Sequence, residues 1–172
     1  MINMPNVKPF KDIIVSSDPA HAMIFLGNER TGKIHDAAGL NWGHGKGNVA
    51  KDAACFVIRS KLIKGVPHLF PNKGINPRKG LGHGHKNISH TAEALWDDGT
   101  IMKLSFEGRS KDHFKTITSF PKNNILGTYI RERLGLNPFE KILDSHLDEY
   151  GRHHVDIKKL KEGQYEINFS EG

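Results

Sequence analysis

The 172-residue chain lacks the features of several protein classes. It has a single cysteine, Cys55, which excludes an internal disulfide framework and a cysteine-rich zinc site. No apolar run approaches the roughly 18 residues of a membrane-spanning helix, and the N-terminal sequence lacks the basic-then-apolar pattern of a secretory signal. Aromatic residues make up only 8%, yet a chain of this length can bury most of its apolar surface. We therefore expect one domain over residues 1–172 and a cytoplasmic protein.

Acidic residues are almost absent from the middle of the chain. Residues 41–90 contain nine lysines and arginines but one acid, Asp52, so this segment carries more than the whole formal charge of +6. It also holds eight of the 18 glycines and five of the 11 histidines. Basic, glycine-rich segments suit a polyanion, because each phosphate that they neutralise releases condensed counterions. A solvated loop with nothing bound is the alternative explanation of this composition.

Two phosphate-chemistry motifs are incomplete. Gly27–Lys33 has the spacing of a nucleotide-binding phosphate loop, but Ile34 stands where a magnesium-binding hydroxyl is needed. His44 and Lys46 resemble the start of the phospholipase-D signature, but the aspartate expected later in that signature is one position late. That chemistry needs two histidines, one as nucleophile and one as acid, and no second copy of the motif exists. Neither motif therefore predicts catalysis.

The histidines offer a metal-dependent alternative. His83, His85, His90 and His113 could form a metal site or a histidine-based nuclease centre. Hydrolytic metal sites normally use nearby carboxylates, however, and residues 53–92 contain none. Cys55 lies in an apolar run and is expected to be a core residue rather than a nucleophile. We therefore expect no metal and no cofactor.

Short strands and hairpins are predicted along the chain. Apolar clusters favour strands at Ile13–Val15, Met23–Leu26 and Ala53–Ile58, and the basic stretch that follows, residues 61–87, is predicted to be mostly loop. Residues 93–106 alternate as a hairpin that turns at Asp98-Gly99, and a second hairpin turns at Glu162-Gly163.

Two helices are predicted between these hairpins. In residues 123–136 the apolar positions recur at helical spacing, and Asn123 or Asn124 can cap the helix. In residues 137–151, Pro138 stands at a favourable first helical position and Gly151 can end the helix. Strands, two short helices and more strands, without βαβ alternation, predict a mainly β domain of α+β type, such as a barrel.

Several phrases in a fixed order resemble a known family. This order resembles the C-terminal B3-type DNA-recognition domain of restriction endonucleases whose nuclease domain is phospholipase-D-like, and more distantly the B3 domains of plant transcription factors. The resemblance covers roughly residues 35–172; the nuclease domain of those enzymes is absent. Residues 72–87 look like a basic insertion, and residues 106–113 lack the glutamine-containing phrase that is usual there. The phrases are Gly39–Gly43, Leu69–Pro71, Asp97–Gly99, Lys115–Ile117, Asn123–Gly135, Tyr150–Arg152 and Tyr165–Ser170.

The resemblance implies a seven-stranded open β-barrel, or B3-like pseudobarrel, with two short helices. It also implies two loops that enter the DNA major groove: a first arm, Asn41–Asn48, and a second arm, Arg109–Lys115, extending as far as Asn124. The resemblance further implies that the chain binds double-stranded DNA and works with a separate nuclease domain or subunit. The chain itself would not be an enzyme. The implied DNA contacts are Asn41, Trp42, His44, Lys46, Asn48, Arg109, Ser110, Lys111, His113, Lys115, Asn123 and Asn124.

The residue chemistry agrees with these positions but leaves alternatives open. Asn, Lys and Arg can read base edges in the major groove, and glycines let the backbone approach phosphates. Trp42 could instead anchor the arm by packing, and Asn123 and Asn124 could simply cap a helix. Arg131 and Arg133 fit ion pairs as well as phosphate contacts. Three other functions also stay open: a metal-dependent nuclease using the histidine-rich loop, a reader of modified bases such as methylcytosine, and an RNA-binding accessory protein.

Overall fold

A seven-stranded mixed sheet forms the body of the molecule, in the computed structural model that describes residues 20–47, 50–72, 90–108 and 113–172. The strand order is β1-β6-β7-β3-β4-β5-β2, and every pairing is antiparallel except that of β3 with β7. The sheet confirms the expected mainly β barrel. The strands are β1 (His21–Phe25), β2 (Phe56–Val57), β3 (His90–Trp96), β4 (Ile101–Glu107), β5 (Thr116–Ser119), β6 (His154–Lys161) and β7 (Gln164–Asn168).

The barrel stays open between its two edge strands, β1 and β2. Arg59, which follows β2, reaches across this gap and donates hydrogen bonds to the carbonyl oxygens of Phe25 and Gly27 at 3.3 and 2.5 Å. Inside the barrel, alternate residues of each strand meet in one apolar core, as β4 illustrates with Leu104 and Phe106, both 0% exposed. The side chains at the intervening positions face outward.

Both predicted hairpins are present. The β3–β4 hairpin turns at Asp98-Gly99, where Gly99 has a φ of +87° and the Asp98 carboxylate accepts a hydrogen bond from the Thr100 amide at 3.0 Å. The β6–β7 hairpin turns at Glu162-Gly163, and Gly163 has a φ of +78°. Glycine suits both positions because side chains rarely adopt this conformation. The strand predicted at Ile13–Val15 lies outside the described residues, and the run Ala53–Ile58 is a strand only over β2.

Four helices, rather than the expected two, lie within the described ranges. They are a 3₁₀ helix (Gly39–His44), α1 (Ser60–Gly65), α2 (Asn124–Arg133) and α3 (Asp144–Tyr150). Helix α1 falls in a stretch that the sequence assigned to loop, and only Leu62 is buried among its six residues. One helical turn with a single buried side chain leaves no apolar period to detect. No helix in these ranges has the length and apolarity that crossing a membrane requires.

Helix α2 packs as its apolar spacing predicted, but its N-terminus is capped differently. Leu126 and Ile130 are both 0% exposed against the barrel, and Leu134 is partly buried there. Asn123 occupies the N-cap position without a side-chain hydrogen bond. The free amide of Leu126 instead donates to the Ser119 hydroxyl of β5 at 2.8 Å. The capping group therefore comes from the neighbouring strand.

Helix α3 begins six residues later than Pro138 predicted. It starts at Asp144, and Leu143 precedes it in an extended conformation, with its amide donating to His146 Nδ1 at 2.9 Å. Phe139 and Leu143, two apolar residues within the range predicted to be helical, are 63% and 47% exposed. The cause lies at Ile142, whose backbone amide and carbonyl both bond to the side chain of Asn41 instead of forming helical bonds.

Candidate nucleic-acid interface

The two predicted arms leave the barrel at opposite ends of the β2–β5 ladder. The first arm lies in the connection from β1 to β2 and precedes the start of β2, while the second arm connects β4 to β5. The register pairs Phe56 with Ile117 and Val57 with Thr116. The second arm, which ends one residue before Thr116, therefore lies beside the end of β2. A strip of the outer sheet surface lies between the two arms.

This strip forms a floor made of short side chains. Because Phe56, Phe106 and Ile117 point into the core, the alternating residues on the same strands point outward. Glu107, Thr116 and Val57 form one row across β4, β5 and β2, and Ser105 and Thr118 form the next. We call these five residues the floor: Val57, Ser105, Glu107, Thr116 and Thr118. Val57 and Glu107 are exposed and Thr116 is partly buried, whereas Ser105 and Thr118 are buried.

The first arm is fixed at its base by close backbone packing. The amide of Gly43 donates to the Ala53 carbonyl, and the amide of Cys55 donates to the Gly39 carbonyl, each at 3.0 Å. A Cβ atom on Gly43 would lie 2.1 Å from the carbonyl oxygen of Ala50. Only glycine fits such an approach, so the loop folds back tightly on the chain that leads into β2.

A buried arginine joins this base to α2. Arg131 is 0% exposed, and its guanidinium donates to four backbone carbonyls: those of Leu40, Asp52, Gly127 and Glu140, at 3.3, 3.3, 3.1 and 2.6 Å. Burial lowers its pKa, and the Asp52 and Glu140 carboxylates oppose that effect. The sequence left ion pairing and phosphate contact open for Arg131. Its position inside the protein makes it a positioning residue of the first arm.

Arg133 closes the far side of the barrel rather than facing a ligand. It binds the Asp97 carboxylate through two nitrogens, the closer at 2.7 Å, and also donates to the hydroxyls of Tyr129 and Tyr150 and to the Phe169 carbonyl. Burial alone would raise the pKa of Asp97, but the hydrogen bonds from Arg133 and Phe169 lower it overall. The ion-pair interpretation of Arg133 therefore fits this geometry.

Asn41 also holds the first arm in place. Its side chain is 1% exposed; the amide nitrogen donates to the carbonyls of His35 and Ile142 at 3.0 and 2.7 Å, and the amide oxygen accepts from the Ile142 amide at 2.8 Å. A side chain with these bonds is not available to a base edge. We leave Asn41 out of the proposed DNA contacts for this reason.

The outer part of the first arm remains accessible. Trp42 is 40% exposed and Lys46 is exposed, while His44 is partly buried. Burial lowers the pKa of His44, and the positive charges of Arg131, Lys51 and Lys141 lower it further. His44 is thus a neutral donor or acceptor at neutral pH rather than a cationic phosphate contact. Asn48 lies outside the described residues.

The second arm is described only from His113 onward; Arg109, Ser110 and Lys111 lie outside the described residues. His113 is held by its own protein, because Nδ1 lies 2.9 Å from the Phe114 carbonyl oxygen and Nε2 lies 3.3 Å from the Ser60 hydroxyl of α1. Lys115 is exposed, and its backbone bonds to both neighbouring strands, at Glu107 and Ile58. Of these two, Lys115 is the better placed to reach a phosphate.

Asn123 and Asn124 do not continue the second arm. The Asn123 carbonyl accepts a hydrogen bond from the Ala54 amide at 3.3 Å, which places the start of α2 beside the segment that leads from the first arm into β2. Asn124 lines an open groove with Lys103 and Phe120, and the Lys103 ammonium lies 4.8 Å from the centre of the Phe120 ring. β5 separates the end of the second arm from Asn123 and Asn124. The sequence alone does not show which elements lie beside the far end of this strand.

The described residues contain no group of three or more His, Cys, Asp or Glu side chains that could hold a metal ion. His83 and His85, named in the nuclease alternative, lie outside them. Burial raises the pKa of the Cys55 thiol to about 12, so Cys55 is protonated at neutral pH and unsuited to nucleophilic attack. This matches the expectation that Cys55 is a core residue.

Over residues 16–161 the chain matches the family model of the NgoFVII C-terminal B3-like DNA-binding domain, and it therefore belongs to this family of DNA-binding domains. The match confirms the predicted B3-type resemblance and extends it toward the N-terminus. No curated protein matches the chain.

Proposed function

We propose that this domain binds double-stranded DNA sequence-specifically, inserting both arms into the major groove, and that it does so without catalysis. Membership of a DNA-binding family carries this proposal most directly. The placement of the two arms on either side of the floor supports it, because one duplex lying against the accessible row of Val57, Glu107 and Thr116 would meet both arms. The strip is also a suitable length: the four residues of β5 span about 10 Å at roughly 3.3 Å per step, close to the roughly 12 Å width of the major groove.

The proposed contacts divide by chemistry. Lys46 and Lys115 are exposed cations at the two ends of the strip and suit phosphates, which fix the register of the protein on DNA. Trp42 and Asn124 offer apolar or hydrogen-bonding groups for base edges. His44 is a weaker contact because its Nε2 atom is buried. The sequence adds Asn48, Arg109, Ser110 and Lys111 as further contacts, and Asn123 and His113 as weaker ones because their groups already bond within the protein.

The basic charge favours DNA at both ends of the strip. Lys51 is exposed beside the first arm, and Lys61 and Lys64 are exposed on α1, which the Ser60–His113 contact joins to the second arm. Each cation that neutralises a phosphate contributes counterion release, so affinity should fall steeply with salt. We propose that the domain recognises the DNA target in a restriction-modification system or a related one, because the sequence resembles the recognition domain of restriction enzymes. A separate nuclease domain or subunit would then act at the recognised site.

Selection of bound duplexes from a random pool tests the proposal, run in parallel on unmodified and cytosine-methylated DNA. We expect enrichment of one short sequence. Enrichment only in the methylated pool would identify a modified-base reader, and failure to enrich any sequence in either pool would contradict sequence-specific binding. Incubating the enriched duplex with magnesium or manganese tests the absence of catalysis, and we expect it to remain uncut. Reproducible cleavage that is lost in a His83→Ala/His85→Ala variant would contradict this.

A further inference from the structure

A single acid lies on the floor between the arms. Glu107 is the last residue of β4, is exposed, and faces outward in the same row as Thr116 and Val57. Directly opposite residues on neighbouring strands lie about 5 Å apart, so this carboxylate lies next to Thr116 of β5 and is separated from the edge strand β2 by that one strand. The next residue, Gly108, begins the turn into the second arm with a φ of +105°. Any duplex held by both arms would therefore pass over Glu107.

The carboxylate of Glu107 is held in one orientation. Ser105, two residues earlier on the same face, is 1% exposed, and its hydroxyl donates to Glu107 Oε1 at 2.8 Å. A carboxylate has about four acceptor sites, so this bond leaves Oε2 and part of Oε1 open toward solvent. Among the residues that the structure describes, no lysine, arginine or histidine forms an ion pair with Glu107.

A carboxylate in this position does not help affinity in general. It repels the phosphates of every duplex, whatever the sequence, and it cannot donate to the acceptor groups of guanine or thymine. The groups that it can bind in the major groove are the exocyclic amino groups, cytosine N4 and adenine N6, which are hydrogen-bond donors. A fixed acceptor that forms hydrogen bonds only with these amino groups discriminates between DNA sequences, but it lowers the affinity for DNA in general.

Building on the proposed function, we propose that Glu107 is a specificity-determining residue whose carboxylate accepts a hydrogen bond from an exocyclic amino group, cytosine N4 or adenine N6, in the major groove. In the same row, Thr116 places a methyl group on the neighbouring strand, and Val57 places an isopropyl group one strand further on. These apolar groups fit the carbon edge of a neighbouring base better than a second polar contact. The floor would thus contribute one base-reading position in addition to those of the arms.

The test compares Glu107→Ala and Glu107→Gln with Glu166→Gln, which removes the same charge from an exposed position on β7, away from the arms. Affinities are measured for the selected duplex, for every single-base-pair variant of it, and for random DNA. Wild type should lose about tenfold or more in affinity when one particular C·G or A·T pair is replaced. Glu107→Ala, which removes the acceptor, should reduce that ratio to about twofold or less, while binding random DNA a few-fold more tightly. Glu107→Gln, whose amide oxygen still accepts a hydrogen bond, should retain part of the ratio or shift the preferred base. Glu166→Gln should leave the ratio unchanged.

Duplexes with N4-methylcytosine or N6-methyladenine at that position identify the donor, since methylation there should weaken the binding of wild type but not that of Glu107→Ala. Thermal unfolding controls for folding, and the midpoint should be the same for all variants and wild type. If Glu107→Ala tightens binding to all duplexes equally and every single-base preference survives, Glu107 is only a solvated acid and the inference is wrong. If wild type itself prefers no duplex, the proposed function fails first. The two failures are therefore distinguishable.

Discussion

The two arms are held on the barrel by different means. Side chains distant in sequence fix the base of the first arm, above all Arg131 of α2 and Asn41, which binds both backbone groups of Ile142. Backbone pairing holds the second arm, since the Lys115 amide donates to Glu107 and its carbonyl accepts from Ile58. The position of the first arm thus depends on the packing of α2 and the segment before α3. That of the second depends mainly on the local β-ladder.

The largest expected effect is therefore on stability, at the base of the first arm. Arg131→Met removes the side-chain donor of four backbone carbonyls, of which those of Leu40 and Asp52 are in buried hydrogen bonds outside α2. Each buried unsatisfied group costs about 1–3 kcal/mol, and partial relaxation should leave a loss of about 3–5 kcal/mol in the free energy of unfolding. Urea denaturation measures this loss. Glu132→Ala, at the adjacent exposed position, is the control and should change stability little. A stable Arg131→Met protein that no longer binds DNA would show that Arg131 contacts the ligand instead.

A smaller effect, on binding rather than folding, is expected in the second arm. If Arg109 reads a guanine, Arg109→Ala should weaken binding to the selected duplex by about 1–3 kcal/mol and reduce the base preference at one or two positions of the DNA site. The unfolding midpoint should hardly change, because substitutions away from buried networks usually have small effects. Thermal unfolding and binding to matched and single-mismatch duplexes measure both quantities. Loss of folding with unchanged base preference would assign Arg109 to the scaffold.

A smaller effect still is expected at an exposed cation of the first arm. Lys46→Ala should weaken binding to all duplexes by a similar factor and reduce the slope of log affinity against log salt by about 1, the contribution of one phosphate contact. Lys158→Ala, exposed on β6 across the barrel, should leave the slope unchanged. Equal slopes for wild type and Lys46→Ala would remove Lys46 from the interface.

The smallest effect concerns pH. The folded protein lowers the pKa of His44 below its ordinary value of 6.5, so below that pH the unfolded chain binds more protons at this residue. The titration of His44 therefore does not change the free energy of unfolding above about pH 7. It reduces that free energy as the pH falls below the pKa that His44 has in the unfolded chain. His44→Gln should show a slightly shallower loss of stability than wild type between pH 7 and 5 in paired urea titrations. Parallel curves would mean that His44 titrates normally.

The sequence predicted what local patterns encode. The hairpins at Asp98-Gly99 and Glu162-Gly163 follow from turn chemistry beside alternating strands, and α2 follows from apolar residues at helical spacing. The basic middle segment and the ordered family phrases indicated DNA binding, which the family match supports. These signals needed no knowledge of which elements meet in space.

The sequence could not predict what depends on distant contacts. Asn41 bonds to Ile142 across 101 positions, and Arg131 reaches Leu40 across 91, so neither role leaves a local pattern. The late start of α3 follows from the same Asn41 contact, which diverts Ile142 from the helix. The assignment of Asn124 to the second arm failed to anticipate that β5 carries the chain to the opposite end of the strip. Glu107 had a detectable signal, its alternation with Phe106, but only the register places it between the arms.

The central claim, sequence-specific binding of double-stranded DNA, is tested most directly by a competition titration at about 0.15 M salt. The full chain is bound to the labelled selected duplex and displaced by unlabelled selected duplex, by random duplex and by single-stranded RNA. The account predicts that the selected duplex competes at least about a thousandfold better than random duplex, with RNA no better than random duplex. Equal competition by random and selected duplexes, or preferential displacement by RNA, would contradict it.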